Sequence, residues 1–290
     1  MKLSVVVATR NEEKNIRTCL ESVTDIADET IVVDESSNDK TREIARSIGA
    51  KVYKVKHEEI FHKTKQKALD LAEGDWILQL DTDEVVTPGL AKEIKEVVDF
   101  KTGELKKRKA INKEKIKLFE KHQKVIERRD GKIGKDTGQV VAFFIPRKNY
   151  FLGKPLMYAG VYPDGVIRLV RKGKARFPVK SVHEQVEVDG EVAWLFSDLE
   201  HHDSPTFERY LVRMNRYTDL QAEELKEKEI PTNYIQLFNY STIKPFFTFL
   251  NLYFRHLGFL DGMRGFIWSL FSAMHYPLAY FKYWSGLKKD

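Results

Sequence analysis

The chain has 290 residues, 32% charged and 42% hydrophobic, with 49 Lys/Arg against 43 Asp/Glu for a formal net charge of +6. That length is ample for the buried core of one large or two modest domains, and 16 Gly with 9 Pro exclude a collagen-like or wholly disordered chain. A single cysteine, Cys19, excludes a disulfide framework and a cysteine-based zinc site.

Met1–Lys2 runs straight into a strand-like segment, without the longer apolar stretch of a secretory leader, so the expected compartment is the cytoplasm. Leu3–Ala8 is a continuous apolar run, after which Asn11 is expected to cap a helix with Ile16, Cys19, Leu20 and Val23 on one face. Thr30–Asp34 is the next strand, and Ser37 or Asn38 starts a helix that Gly49 ends. Lys51–Val55 is a strand, His62–Glu73 a helix closed by Gly74, and Trp76–Leu80 a fourth strand. Thr87–Pro88 opens another helix, with proline at its first position. Apolar strands alternating with helices predict a nucleotide-binding, Rossmann-like α/β domain: a parallel sheet with helices on both faces.

Between Lys101 and Asp136 there are 14 Lys/Arg and 6 Asp/Glu, so this insertion (about 101–137) carries the excess of positive charge. It reads as a solvated, partly helical insertion, or as a basic arm for anionic lipid or a phosphorylated glycan. No nucleic-acid-binding motif accompanies the charge, so nucleic acid is not expected as a partner. Beyond it, Gln139–Ile145 and Val166–Val170 read as strands, and His183–Val188 with Val192–Phe196 as a hairpin turned at Asp189–Gly190. From Ser204–Pro205 the pattern is helical, with Phe207, Tyr210, Leu211, Met214, Tyr217, Leu220 and Leu225 on one face. The expected division is a core α/β domain over 1–203 and a helical, aromatic-rich region over 204–290.

That C-terminal region holds 14 of the 34 aromatics between Lys244 and Trp284, with five charged residues. Gly265–Phe281 is uncharged for 17 residues but is interrupted by Ser269, His275 and Pro277, which suits an interfacial segment better than a span. Trp268, Tyr276, Tyr280, Tyr283 and Trp284 suit the water–lipid boundary; a pair of helices folded back onto the protein is the alternative.

Asp81-Thr82-Asp83-Glu84 follows an apolar strand at the expected carboxyl edge of the sheet, where ligands bind in open α/β folds. Carboxylates one residue apart there can hold a hard divalent cation, Mn2+ or Mg2+, which would offset the charge of a diphosphate. Thr9-Arg10-Asn11-Glu12 and Asp34-Glu35-Ser36-Ser37-Asn38-Asp39 leave strands one and two toward the same edge, with amides and carboxylates suited to a nucleobase and ribose. Neither is G-x-G-x-x-G, and no G-x-x-x-x-G-K-[ST] occurs, which argues against dinucleotide-binding dehydrogenases and P-loop enzymes. Lys63, Lys65 and Arg168 are candidate phosphate neighbours.

These motifs resemble family 2 glycosyltransferases of the GT-A fold, through V-V-V-A-T-R-N-E-E, V-D-E-S-S-N-D-K-T and G-D-W-I-L-Q-L-D-T-D-E. Tyr162-Pro163-Asp164, Arg168-Leu169, Val182-His183-Glu184, His201/His202 and Gly258-Phe259-Leu260-Asp261-Gly262 are similar to the WaaE/KdtX-like lipopolysaccharide-core β-glucosyltransferases. The resemblance implies that Asp81 and Asp83 are the D-x-D pair, Asp83 the direct metal ligand and Asp81 nearer the ribose. It implies that Thr9, Asn11, Glu12 and Glu35 line a nucleoside pocket with Asp34 beside them, that Glu184 is the general base, and that His201 or His202 is a further metal ligand. The two histidines cannot point the same way on a strand, so one ligand is expected. Gln66-Lys67 stands where the family often has Arg-Asn, which leaves the phosphate and sugar contacts open.

The implied activity is inverting, metal-dependent transfer of a hexose, first of all glucose from UDP-glucose, to a glycan or glycolipid such as lipopolysaccharide core. The protein would be cytoplasmic and peripheral at the inner face of the cytoplasmic membrane. Transfer to a polyprenyl phosphate and a non-catalytic nucleotide-binding membrane adaptor are the alternatives.

Overall fold

A computed structural model describes residues 1–58, 60–100, 113–178 and 186–286. The first hundred residues alternate strand and helix: β1 (Leu3–Thr9), α1 (Ile16–Glu21), β2 (Glu29–Asp34), α2 (Thr41–Ser47), β3 (Lys51–Lys54), α3 (Phe61–Leu71), β4 (Trp76–Leu80), β5 (Glu84–Val86) and α4 (Pro88–Asp99). There follow α5 (Lys113–Asp130), β6 (Val140–Phe151), β7 (Lys154–Pro155), β8 (Asp164–Arg171), β9 (Ala175–Arg176), β10 (Glu187–Val188), β11 (Glu191–Trp194) and β12 (Leu199–Ser204). The remainder is helical: α6 (Phe207–Glu227), α7 (Tyr234–Phe238), α8 (Lys244–Leu250) and α9 (Gly262–Gly286), with π-helical turns at Asn239–Ile243 and Asn251–Arg255 and a 3-10 turn at Gly258–Asp261. Two compact units emerge, Met1–Arg147 with Pro163–His201, and Lys148–Tyr162 with His202–Asp290.

In the first unit the main sheet runs β3-β2-β1-β4-β8-β6-β12-β5. Strands β1 to β4 are parallel, while β8 joins β4 and β6 antiparallel. Strand order reverses between β1 and β4, and in such sheets the crevice at that point, outside the carboxyl ends, receives ligands. The registers align those ends, with Thr9 opposite Asp34 and Val7 opposite Leu80.

Alternation along the strands builds two cores, because successive side chains point to opposite faces. Val5, Val7, Leu78 and Leu80 bury against α1 and α4 through Ile16, Leu20, Leu90 and Ile94. Val6, Ile31, Val33 and Ile77 face α3 and α5 through Ala68, Leu69 and Ile126. Helices therefore cover both faces, as expected for the α/β class. Thr87 caps α4 by accepting from Leu90 N, with Pro88 in its first turn.

Three local expectations are corrected. Helix α1 starts at Ile16 rather than directly after Asn11, whose φ of 55° is left-handed and whose polar groups bond the neighbouring loop instead. Helix α2 starts at Thr41, three to four residues after the expected cap, because Ser37 is engaged with Asp34. The expected hairpin at Asp189–Gly190 does not form among the described residues: β10 pairs with β9, and β11 runs parallel to β6. Gly190 lies where a Cβ would stand 2.5 Å from Val141 Cγ2, so the chain passes close under β6 instead of turning back.

Most of the described part of the basic insertion is α5, and it is not wholly solvated. Phe119 and Ile126 are buried, and Phe119 stacks on Trp194 with ring centroids 4.7 Å apart. Residues 101–112 lie outside the described residues.

In the second unit, Thr206 caps α6, and Tyr210 and Met214 bury with Phe151 and Leu156. Tyr217, expected on that buried face, is 42% exposed. Tyr280 and Tyr283, read as boundary aromatics, are core residues whose hydroxyls donate to the Pro231 and Ile230 carbonyls. No described helix is long and apolar enough to cross a membrane.

Candidate active site

The loops leaving β1 and β2 are laced together at the carboxyl edge. Asn11 N donates to Ser37 Oγ at 2.8 Å, Asn38 N donates to Asn11 Oδ1 at 2.9 Å, and Glu12 N donates to Thr41 Oγ1 at 2.8 Å. Asp34 is fully buried, accepts from both Ser37 N and Ser37 Oγ, and pairs with Arg42. Thr9 is buried, and its hydroxyl has no hydrogen-bond partner among the described residues. A buried polar atom left so is costly unless a ligand or water meets it, which marks this edge as a place for one.

Glu35 is the inner end of a chain of polar contacts. It accepts from Thr64 Oγ1, and its Oε2 lies 2.7 Å from His57 Nδ1, while His57 Nε2 lies 2.8 Å from Arg10 Nη1. Arginine can only donate, so Nε2 accepts and Nδ1 carries the proton that Glu35 receives. A buried acceptor is thus held in a set orientation beside the β1 loop.

Behind the D-x-D segment lies a balanced charge cluster. Asp81 Oδ1 is 2.5 Å from Lys65 Nζ, and Asp81 Oδ2 accepts from Arg168 Nη2 at 2.5 Å. Burial opposes ionisation of Asp81, but Arg168 and Lys65 overcome it and hold the carboxyl well below the usual carboxylate range. Glu84, fully buried, accepts from Arg168 Nη2 at 2.7 Å and from Arg147 Nη1 at 3.3 Å, and its second oxygen accepts from Asp81 N at 2.9 Å. Arg147 also forks onto Asp164 at 2.6 and 3.0 Å. Burial works against the Arg168 charge, yet Asp81 and Glu84 raise its pKa above the ordinary arginine value. Three carboxylates thus meet three cations, which is how buried charge is tolerated. Cys19 closes the back of this cluster; burial, then Glu84, Asp83 and Asp81, push its thiol well above the ordinary value.

Asp83 is placed differently. Strand β12 pairs antiparallel with β5, setting His201 opposite Glu84 and so beside Asp83. His201 Nε2 lies 3.5 Å from Asp83 Oδ2, and both side chains are mostly buried. His202, pointing the other way along the strand, stacks on Tyr150 with centroids 4.2 Å apart. Among the described residues no group of three or more His, Cys, Asp or Glu converges on one point. Asp83 and His201 could hold a divalent cation in an open site, of the kind that leaves positions for phosphate oxygens and water. Both Asp81 oxygens are engaged by cations, so Asp81 stands as a neighbour of that pair.

The remaining expected site residues are placed as follows. Lys63 pairs with Glu58 at the surface, and Lys65 and Arg168 are committed to Asp81. Glu184 lies outside the described residues. Sequence reasoning missed Glu84 and Arg147 as members of the charge cluster. No local pattern signals Arg147, which lies inside β6 where the strand continues past it to Phe151.

The Gly258–Gly262 motif has a structural explanation within the second unit. Asp261 accepts from Tyr158 N at 2.8 Å and Met157 N at 3.2 Å, and Ala159 N donates to the His256 carbonyl at 2.9 Å. Gly265 sits so close to the Gly258 carbonyl that a Cβ would stand 1.8 Å from it.

The sequence profile of glycosyl transferase family 2 matches residues 4–151, just over half of the chain, from the second residue of β1 to the end of β6. The chain belongs to glycosyl transferase family 2. Over 93 residues this glycosyltransferase is 44% identical to an uncharacterised glycosyltransferase of Rickettsia bellii, a match covering 32% of the chain and 31% of that relative. It spans less than a third of that relative's length. Over 282 residues it is 23% identical to the lipopolysaccharide core biosynthesis glycosyltransferase LpsC of Rhizobium meliloti, covering 95% of the chain and 89% of LpsC. Among solved structures it is similar to residues 1–349 of S. aureus TarS in complex with UDP-GlcNAc, at 16% identity and a TM-score of 0.42, covering 98% of the chain and 84% of the TarS fragment.

Proposed function

We propose that this family 2 glycosyltransferase is a metal-dependent, inverting hexosyltransferase that takes its sugar from a nucleotide diphosphate, first of all UDP-glucose. The acceptor in this proposal is a glycan or glycolipid such as lipopolysaccharide core, met at a membrane surface. The similarity to LpsC, a lipopolysaccharide core biosynthesis glycosyltransferase, supports that acceptor class. The observation that carries the proposal is the approach of Asp83 and His201 to 3.5 Å at the ligand-binding edge of the sheet.

Asp83 and His201 would hold Mn2+ or Mg2+, which when bound supplies positive charge against the leaving diphosphate. Thr9, Asn11, Glu12, Asp34 and Glu35 would bind the nucleoside: the Thr9 hydroxyl has capacity to spare, and Glu35 is oriented by His57. Lys65 and Arg168 keep Asp81 ionised and fixed in place beside the ribose. Glu184, assigned from the resemblance, would take the proton of the acceptor hydroxyl as that oxygen attacks the anomeric carbon from the side opposite the nucleotide.

The test is nucleotide release from UDP-, GDP-, ADP- and dTDP-sugars with Mn2+, Mg2+ or EDTA. Turnover of one donor that needs metal and is lost in Asp83→Ala supports the proposal and names the base and sugar together. Turnover unchanged by EDTA and by Asp83→Ala would overturn it.

A further inference from the structure

We propose that the exposed apolar side of the helical unit is a docking surface for a bilayer carrying anionic lipid. This rests on the membrane contact proposed above and names its surface and its lipid class.

Helix α9 is amphipathic in an unusual sense. Gly265, Ser269, Ala273 and Tyr280 turn inward, while Met263, Phe266, Leu270, Met274 and Phe281 recur at helical spacing on the solvent side. No charge falls between Arg264 and Lys282 to wet that side. The segment from α7 to the turn after α8 does the same: Tyr234, Ile235, Phe238, Phe246, Phe247 and Phe254 are each 55–89% exposed. Phe266 joins the two, because it is itself 38% exposed and packs edge-on against Phe249 and Tyr253. At about 200 Å2 for a large side chain, these residues together expose on the order of 1,000 Å2. The largest apolar patch on a typical monomer is about 300–600 Å2, and larger ones mark interaction sites.

Charge decides the occupant. From Pro231 to Leu260 there is no Asp or Glu, whereas Lys244 and Arg255 lie within the segment. The first acid beyond it, Asp261, is spent on the backbone N–H groups of Met157 and Tyr158. An anionic headgroup layer complements this border, and the apolar side chains reach the acyl boundary that interfacial helices occupy. A second copy related by a two-fold axis would set the same face against itself, with the same two cations and no acid to meet them. Since no described helix can cross a membrane, the contact lies in the plane of the surface.

The test is flotation of the full chain with vesicles of phosphatidylcholine alone or mixed with phosphatidylglycerol. Wild-type protein is expected to float with the anionic vesicles and to be released progressively by salt. Phe246→Ser/Phe247→Ser removes two exposed rings, leaves the core untouched, and should lower the bound partition about tenfold or more. Lys244→Gln/Arg255→Gln should lose most of the preference for anionic vesicles. Equal flotation of wild type and the phenylalanine variant overturns the proposal. So does failure of wild type to float with either vesicle, including the case where sedimentation shows the face covered by a second copy. Nucleotide release measured on the same preparations without vesicles reports on sugar transfer separately, so failure of one proposal is not mistaken for failure of the other.

Discussion

Asp83 Oδ2 lies 3.5 Å from His201 Nε2, although the two are far apart in the sequence and stand in different segments of the first unit. The register of β12 on β5 creates the pair, and the alternation of that strand turns His202 onto Tyr150 instead. The two histidines should therefore separate cleanly. His201→Ala is expected to lower metal-dependent nucleotide release about 100-fold or more, and His202→Ala to leave it within about threefold of wild type. Titration of Mn2+ with UDP by calorimetry checks the same point without turnover, and equal loss in both variants would refute the assignment.

Glu84 and Arg168 should behave as a structural pair. Both are buried and bonded, so removing either leaves unbalanced charge in the interior. Arg168→Met is expected to cost about 3–5 kcal/mol in urea unfolding, and Glu84→Gln somewhat less, because an amide can still accept from arginine. The double variant should recover part of the loss, a coupling that a double-mutant cycle measures directly. Strict additivity would mean that the two do not share an interaction.

The contrast between these two examples shows what was legible in the sequence. Strands β1, β2 and β4 were evident because parallel strands covered on both faces are continuous apolar runs, and the Asp81–Glu84 segment follows one of them directly. Its position at the ligand edge needed only the βα order. The Arg147–Glu84–Arg168 cluster depends on the antiparallel registers of β6 and β8, which no local pattern reveals. The hairpin expected at Asp189–Gly190 failed for the same reason: its turn signal was sound, but packing under Val141 and pairing with β6 outweighed it. Tyr280 and Tyr283 follow the folded-back alternative rather than the boundary one, a choice the sequence leaves open because composition does not say which side of α9 faces inward.

Asp261 gathers the Gly258–Gly262 motif and the loop at Met157–Tyr158 into one structure. Asp261→Ala leaves two backbone donors without their acceptor, at a cost of about 1–3 kcal/mol. Amide hydrogen exchange at Met157 and Tyr158 should rise in this variant, while Asp261→Asn, which keeps one acceptor oxygen, should retain about half of the protection. Unchanged exchange in the alanine variant would remove the motif's structural role.

His122 contributes one pH dependence of the first unit. Its Nε2 accepts from Gly165 N at 3.1 Å, and burial lowers its pKa from the ordinary 6.5, with Asp164 acting against the shift. A protonated imidazole cannot accept at Nε2, so the folded form binds a proton less readily than the unfolded one. The sign follows: where the unfolded state holds more protons, stability rises with pH. The contribution of His122 is therefore full above about pH 6.5 and falls away as the pH drops below it, until the folded form also protonates. His122→Gln keeps an acceptor for Gly165 N without the titration. Unfolding free energies of wild type and His122→Gln, measured in urea at pH 8 and pH 5, should show the wild type losing more stability on acidification than the variant. Parallel losses would place the pH sensitivity of the sheet elsewhere.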